Sequence, residues 1–305
     1  MFRPLSFLIL SYLLLLLLLR NITKAHGQDT STPPPKFPAI LVFGDSTVDT
    51  GNNNYIPTAF RANHAPYGVD YTRKEATGRF SDGLLVPDFL ASDLGIKPLL
   101  PPFLKKPSLS DDDIRTGVCF ASAGSGFDPL TTAASGVIPV SRQPDMFKQY
   151  ISKLKGVAGG QKEANEIVGN ALFLISAATN DFVFNWYDIP SRRISFGNIS
   201  SYQGFLQRSL RVLIKDLYDL GGRKFAIAGL PQIGCVPIQM TAKFGKPSTR
   251  KCIEEQNSDS VAYNDKLRKL LPEIQASLQE SKLAYIDLYS PVMDILTNPS
   301  KYGMP

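Results

Sequence analysis

Four short runs of apolar and β-branched residues set the frame for this chain: Ala39 to Phe43, Ala171 to Ser176, Lys224 to Ala228 and Leu283 to Asp287. Each is five or six residues long and nearly continuous in apolarity, whereas a strand with one wet face alternates. Continuous runs of this length suit strands buried on both faces of a parallel sheet. A fifth run, Gly117 to Ala121, has the same character more weakly. Helical patterns lie between them. Leu84 to Leu94 follows the Ser81-Asp82-Gly83 turn. Tyr202 to Leu220 spaces Leu206, Leu210, Leu213 and Leu217 at three and four residues and stops at Gly221-Gly222. Asn257 to Leu278 carries Leu267, Leu271 and Ile274 in the same way, with Pro272 as a kink. Strands alternating with helices predict an α/β fold, a three-layer sandwich around a central parallel sheet of about five strands. Ser191 to Ser200 and Ala242 to Arg250 read as surface loops, and no solenoid repeat is found.

The chain's first residues have a different physical logic. Leu5 to Leu19 is almost wholly apolar, follows Arg3, and gives way to Arg20, Lys24 and the small pair Ala25 and Gly27. That is the order of a signal peptide, predicted over residues 1–27, and the run is shorter than the roughly 20 residues a membrane-spanning helix needs. The polar, proline-rich stretch 28–38 reads as an extended leader, and 39–305 as one domain. The expected product is secreted and extracellular, with no stable membrane insertion after cleavage. Its net charge falls from +6 to +3 when Arg3, Arg20 and Lys24 leave, too small a balance to argue for nucleic acid as a partner.

Three cysteines would then enter an oxidising compartment. Cys235 and Cys252 stand 17 apart across a loop with proline and glycine, so they can pair locally, which would stabilise by about 3 kcal/mol. Cys119 sits in an apolar run with no basic neighbour and reads as a buried thiol. Three scattered cysteines and two histidines build no metal site, and no cofactor is expected. Asn198-Ile199-Ser200 is an N-glycosylation sequon.

Chemistry is concentrated where three runs end. Ser46 lies two residues beyond the apolar part of the first run, with Gly44 before it and Asp45 and Asp49 around it. Active sites of doubly wound sheets gather outside the carboxyl ends of the strands, so a short turn there would lift the Ser46 hydroxyl clear. The alternative is that Asp45 and Ser46 cap a following helix. "GVCFASAGSGF", Gly117 to Phe127, places the free amides of Gly124 and Gly126 in a small-residue turn, and "LFLISAATNDF", Leu172 to Phe182, ends a run at Asn180. A serine, a glycine amide and an asparagine amide are the parts of a nucleophile with its oxyanion hole. A dinucleotide site is excluded because Asp128-Pro129 breaks the glycine spacing.

These blocks, together with "GRFSDG" at Gly78 to Gly83, "GLPQIGCVP" at Gly229 to Pro237 and "NPSKYG" at Asn298 to Gly303, resemble the plant GDSL esterase/lipase family of the SGNH hydrolases. The resemblance runs from about Phe37 onward. It implies a flavodoxin-like sandwich of five parallel strands. It also implies hydrolysis of carboxylic esters, lipid or cell-wall ones among them, through an acyl-enzyme on Ser46, with Gly126 and Asn180 as oxyanion donors. The oligomeric state is left open. Three departures stand out. Thr47 occupies the leucine position of the family name, Ala178 replaces the glycine of G-x-N-D, and the closing D-x-x-H block does not follow "NPSKYG" before Pro305. The chain therefore reads as C-terminally truncated, weakly active or inactive as written, with a non-catalytic protein that binds an ester in the remnant cleft as the alternative. Of its two histidines, His26 lies in the signal and His64 in a loop that is not the family's catalytic position. An apolar patch beside the last strand is the expected consequence.

Overall fold

The computed structural model describes residues 35–105, 107–133, 135–246 and 251–304. The predicted signal peptide and residues 28–34 of the leader lie outside them. Four strands form one parallel sheet in the order β1 (Ile40–Gly44), β2 (Leu172–Ser176), β3 (Lys224–Ala228) and β4 (Lys282–Ile286). In register, Val42, Leu174, Ala226 and Ala284 form one row across the sheet, and Phe43, Ile175, Ile227 and Tyr285 the next. Alternate rows face opposite sides, and both sides are covered, which is why the runs are continuous rather than alternating.

The described α-helices of six residues or more, in chain order, are α1 (Val86–Asp93), α2 (Asp111–Thr116), α3 (Gln143–Ala158), α4 (Gln161–Asn170), α5 (Ser191–Phe196), α6 (Ile199–Asp219), α7 (Pro237–Phe244), α8 (Glu254–Ser277) and α9 (Tyr289–Thr297). The larger core packs Phe43, Phe173, Ile175, Phe225 and Ile227 against Phe147 and Tyr150 of α3, Leu206, Leu210 and Leu217 of α6, and Leu267 and Leu271 of α8. The smaller one, on the other face, sets Ile40, Val42, Leu174 and Ala226 against Val48, Leu100 and Ala91 of α1. The result is the three-layer α/β sandwich, and no described helix is long and apolar enough to cross a membrane.

The strand count differs from the expected five. The Gly117–Ala121 run does lie along the free edge of β1, where Val42 N–H donates to Val118 O, Phe120 N–H to Val42 O, and Ser122 N–H to Gly44 O. It pairs only through single bridges at Cys119, to Val42 on one side and to Pro102 on the other. The ladder breaks because the Gly44 amide, which would continue it, donates instead to Gln143 Oε1 at 2.8 Å.

Two loop expectations also fail. Ser191 to Phe196 is helical although it buries none of its residues; three bonds from two arginines hold it, Arg192 on the Asp128 carboxylate at 2.6 and 2.7 Å and Arg193 Nε on Trp186 O at 2.7 Å. The second loop begins late, because α7 starts on a proline and runs to Phe244 before Gly245 turns the chain at φ +71°. Asn198 accepts from Ser201 N–H and caps α6. β4 is the least buried strand, with Lys282 and Ala284 exposed, and α9 beside it buries no residue while Val292 and Leu296 face outward.

Candidate active site

β1 ends in a clasp. Gly44 has φ +140°, and a Cβ there would stand 1.8 Å from Ser176 O, so only glycine lets the first and second strands close up at this point. Its carbonyl gathers three donors, Ser122 N–H at 3.0 Å, Ser125 Oγ–H at 2.9 Å and Gln143 Nε2–H at 2.8 Å. The turn that follows is folded on Asp45. The Asp45 amide donates to Ser176 O, its carbonyl accepts from Val48 and Asp49, and its Oδ1 accepts from the Thr47 amide at 2.9 Å and hydroxyl at 2.8 Å. Asp45 is thereby buried while Ser46 is half-buried and Thr47 exposed. No helix starts at Ser46; the next element is a single 3-10 turn, Asn52–Tyr55. Among the described residues, neither the hydroxyl nor the amide of Ser46 has a hydrogen-bond partner.

The polar run behind Ser46 is structural mortar. Asp49 is fully buried and accepts from the amides of Gly51, Asn52 and Ala123. Asn52 Nδ2 donates to Cys119 O and Ala121 O, and Asn53 Nδ2 to Phe60 O and Ala123 O. The bonds to Ala121 O and to the amide and carbonyl of Ala123 satisfy backbone that the broken fifth strand leaves unpaired. Burial pushes both Asp45 and Asp49 up to about 6, against the opposing pull of their amide donors.

The turn after Ala121 carries Gly126, and the turn after β2 carries Asn180. Asn180 Nδ2 donates one hydrogen to Ser125 O at 2.8 Å, which leaves its second free. Asp181, the next residue, is fully buried and receives the amides of Phe127 at 2.8 Å and Asp128 at 3.0 Å, and the Thr131 hydroxyl. A Cβ on Gly126 would lie 2.1 Å from its Oδ1, so glycine is required by the carboxylate beneath it. The Gly126 amide has no partner among the described residues. Burial pushes Asp181 up to about 7. Thus Ser46, Gly126 and Asn180 sit on three turns tied together at Gly44 and Ser125. Thr47 Oγ adds a 2.8 Å link to Ser176 Oγ. Because the Thr47 hydrogen goes to Asp45, Ser176 must be the donor. Ala178 adopts φ +98°, the region that favours the glycine expected there.

Gln143, Asn52, Asn53 and Asp181 were not singled out from the sequence, though Asp181 adjoins Asn180 in the "TNDF" block. Their bonds reach across 50 to 99 residues, and no local spacing reveals such a bond. His64 is exposed, its ring nitrogens within 2.9 and 3.1 Å of the Ala65 and Arg61 carbonyls of its own loop, and its ring packs edge-on to Tyr67. Cys235 and Cys252 are joined in a disulfide with Cα atoms 4.3 Å apart. Cys119 is a buried thiol that donates to Val48 O, and burial pushes it up to about 12. Asn198 is exposed. Among the described residues, no group of three or more histidine, cysteine or acidic side chains is arranged to hold a metal ion.

Residues 40–303 match the family model described as GDSL-like Lipase/Acylhydrolase. The chain belongs to this family. The GDSL esterase/lipases At2g31550 and At2g31540 of Arabidopsis thaliana are 54% and 53% identical to it over 92% of its length and 78% of theirs. The GDSL esterase/lipase At2g40250 of the same plant is 45% identical over 95% of this chain and 79% of its own. Family membership classes the protein with the carboxylic ester hydrolases, and the GDSL serine of the family name falls at Ser46.

Proposed function

We propose that Ser46 is the nucleophile of a GDSL-type acyl transfer, with Gly126 N–H and Asn180 Nδ2–H receiving the oxyanion. The observation that carries this reading is the pairing of an unpartnered, half-exposed Ser46 hydroxyl with two unused donors on turns bound to its own. Ser46 Oγ adds to the ester carbonyl; the negative charge on the carbonyl oxygen is met by donors already in place, and collapse expels the alcohol to leave an acyl-Ser46 that water hydrolyses. The Ser46 proton needs an acceptor. His64 is a poor one, since both its nitrogens face carbonyls of its own loop. Without a base beside Ser46, the oxyanion hole and binding alone would retain only about 10³ to 10⁴ over water.

The substrate is a carboxylic ester, lipid or cell-wall in origin, and the product is a secreted protein glycosylated at Asn198. A leader-like apolar start, a disulfide and an exposed sequon support the secretory route. The decisive test is trapping. The chain is incubated with a p-nitrophenyl ester, quenched in acid, and its peptides are weighed. An acyl group on the peptide containing Ser46, absent in Ser46→Ala, is expected. A peptide that stays unmodified while the ester still binds would instead make this a non-catalytic ester-binding protein.

A further inference from the structure

A cavity of about 300 Å³ opens between the end of the Asp181–Asp188 π-helix, α7 and the start of α8. It lies on the same end of the sheet as Ser46, since two of these elements grow from the carboxyl ends of β2 and β3. Four charged side chains line it, Asp188, Arg193, Lys243 and Glu255. Two are cations and two anions, and among the described residues no ion pair joins any of them to another. Arg193 is oriented by its Nε bond to Trp186 O and by the Trp186 ring 5.6 Å away, which leaves its terminal nitrogens available.

Beneath them lies a one-way relay of amides. Asp188 is acceptor-only, so Gln239 must turn its Nε2 toward Asp188 Oδ1, at 2.9 Å. That leaves Gln239 Oε1 to accept from Gln256 Nε2, at 2.8 Å. The orientation of both amides follows from the carboxylate at the end of the chain. Gln256 is only 8% exposed, and its Oε1 is left with no donor.

We propose that this cavity binds a neutral, hydroxyl-rich ligand of monosaccharide size, a pyranose. Every hydroxyl both donates and accepts, so a vicinal pair satisfies a carboxylate and a cation together. The balanced lining gives no net attraction for an ion of either sign. Ile253, Ala242 and the Tyr187 ring offer the apolar contact that a sugar's C–H face needs. The assignment does not depend on the role proposed for Ser46.

The test is ligand-observed NMR titration of the full chain with methyl β-D-glucopyranoside and methyl β-D-xylopyranoside, with glycine, sodium acetate and methylguanidinium as charged controls. Saturable binding of a glycoside is expected, weakened roughly 3- to 10-fold by Lys243→Ala and by Asp188→Asn, as loss of one hydrogen bond predicts. Lys243 and Asp188 are exposed, so both variants are expected to fold as the parent does. Cellotriose separates a glycan end from a single sugar unit, and both results support the assignment. Absence of saturation by either glycoside, an affinity in both variants equal to the parent's, or tighter binding of any charged control would overturn it.

Discussion

Ala178→Gly tests the turn that aims Asn180. Ala178 is fully buried, has φ +98°, and its carbonyl accepts from the amides of Asp181 and Phe182. An L-residue held in this region costs about 1–3 kcal/mol, and glycine removes that cost. Against it stand the lost burial of one methyl, about 0.8 kcal/mol, and the greater freedom of glycine in the unfolded chain, about 0.4–1 kcal/mol. The balance runs from a loss of about 0.8 kcal/mol to a gain of about 1.8 kcal/mol. Ala177→Gly is the internal control, because Ala177 is also buried but has an ordinary φ; it keeps both costs without the relief and should lose about 1–2 kcal/mol. Urea denaturation of the two variants and the parent measures the difference, with equal m-values required for the comparison. If Ala178→Gly destabilises as much as Ala177→Gly, the left-handed turn is not what shapes this strand end.

Gly126→Ala should displace the Asp181 carboxylate and destabilise by roughly 2–4 kcal/mol through overpacking and broken hydrogen bonds, while Ser125→Ala, which keeps the space, costs less; urea midpoints decide. In the trapping assay, Asn180→Ala should slow acylation of Ser46 by roughly 10² to 10³ with little change in ester affinity, and equal rates would remove Asn180 from the oxyanion hole. Cutting the Cys235–Cys252 bridge by Cys252→Ser should cost about 3 kcal/mol for a loop of this length, read from the shift in urea midpoint. The buried carboxylates set a pH trend of definite sign. Asp45, Asp49 and Asp181 titrate higher in the fold than their ordinary 3.8, so between about pH 4 and 7 the folded state holds more protons and stability falls as pH rises. A urea midpoint that climbs over that interval would contradict the burial of these three groups.

The sheet was legible in the sequence because burial on both faces writes itself as unbroken apolar runs, and all four of the main runs are strands. α6 and α8 were legible for the same reason, their apolar positions recurring at helical spacing. The fifth strand was only half legible. Its residues have strand character, but whether it joins the ladder depends on Gln143, almost a hundred residues from Gly44. α5 was missed because nothing in Ser191 to Phe196 is buried and its helix rests on Arg192 reaching Asp128. The positions of Ser46, Gly126 and Asn180 were readable as ends of runs. What holds them was not, because it consists of side-chain bonds to distant backbone.

Those bonds also explain why so acidic and amide-rich a stretch follows a fully apolar strand. A serine that stands clear of the sheet requires β1 to stop and its neighbour to curve away, and that leaves several amides and carbonyls of 121–128 without ladder partners. Water cannot serve them, since Cys119 to Asp128 is buried throughout. Asp49, Asn52, Asn53 and Asp181 take the place of the missing strand. An unpaired buried polar group costs about 1–3 kcal/mol, so several such bonds outweigh the penalty of burying carboxylates that would titrate near 4 in water. The raised values at Asp49 and Asp181 are the remaining cost of that exchange. The turn around Ser46 is therefore rigid because its surroundings are polar and satisfied, and replacing Asp49 by leucine, which fills the space but accepts nothing, should disorder Gly51, Asn52 and Ala123 together. Hydrogen exchange at those three amides measures this directly, and protection retained in Asp49→Leu would show that packing alone holds the turn.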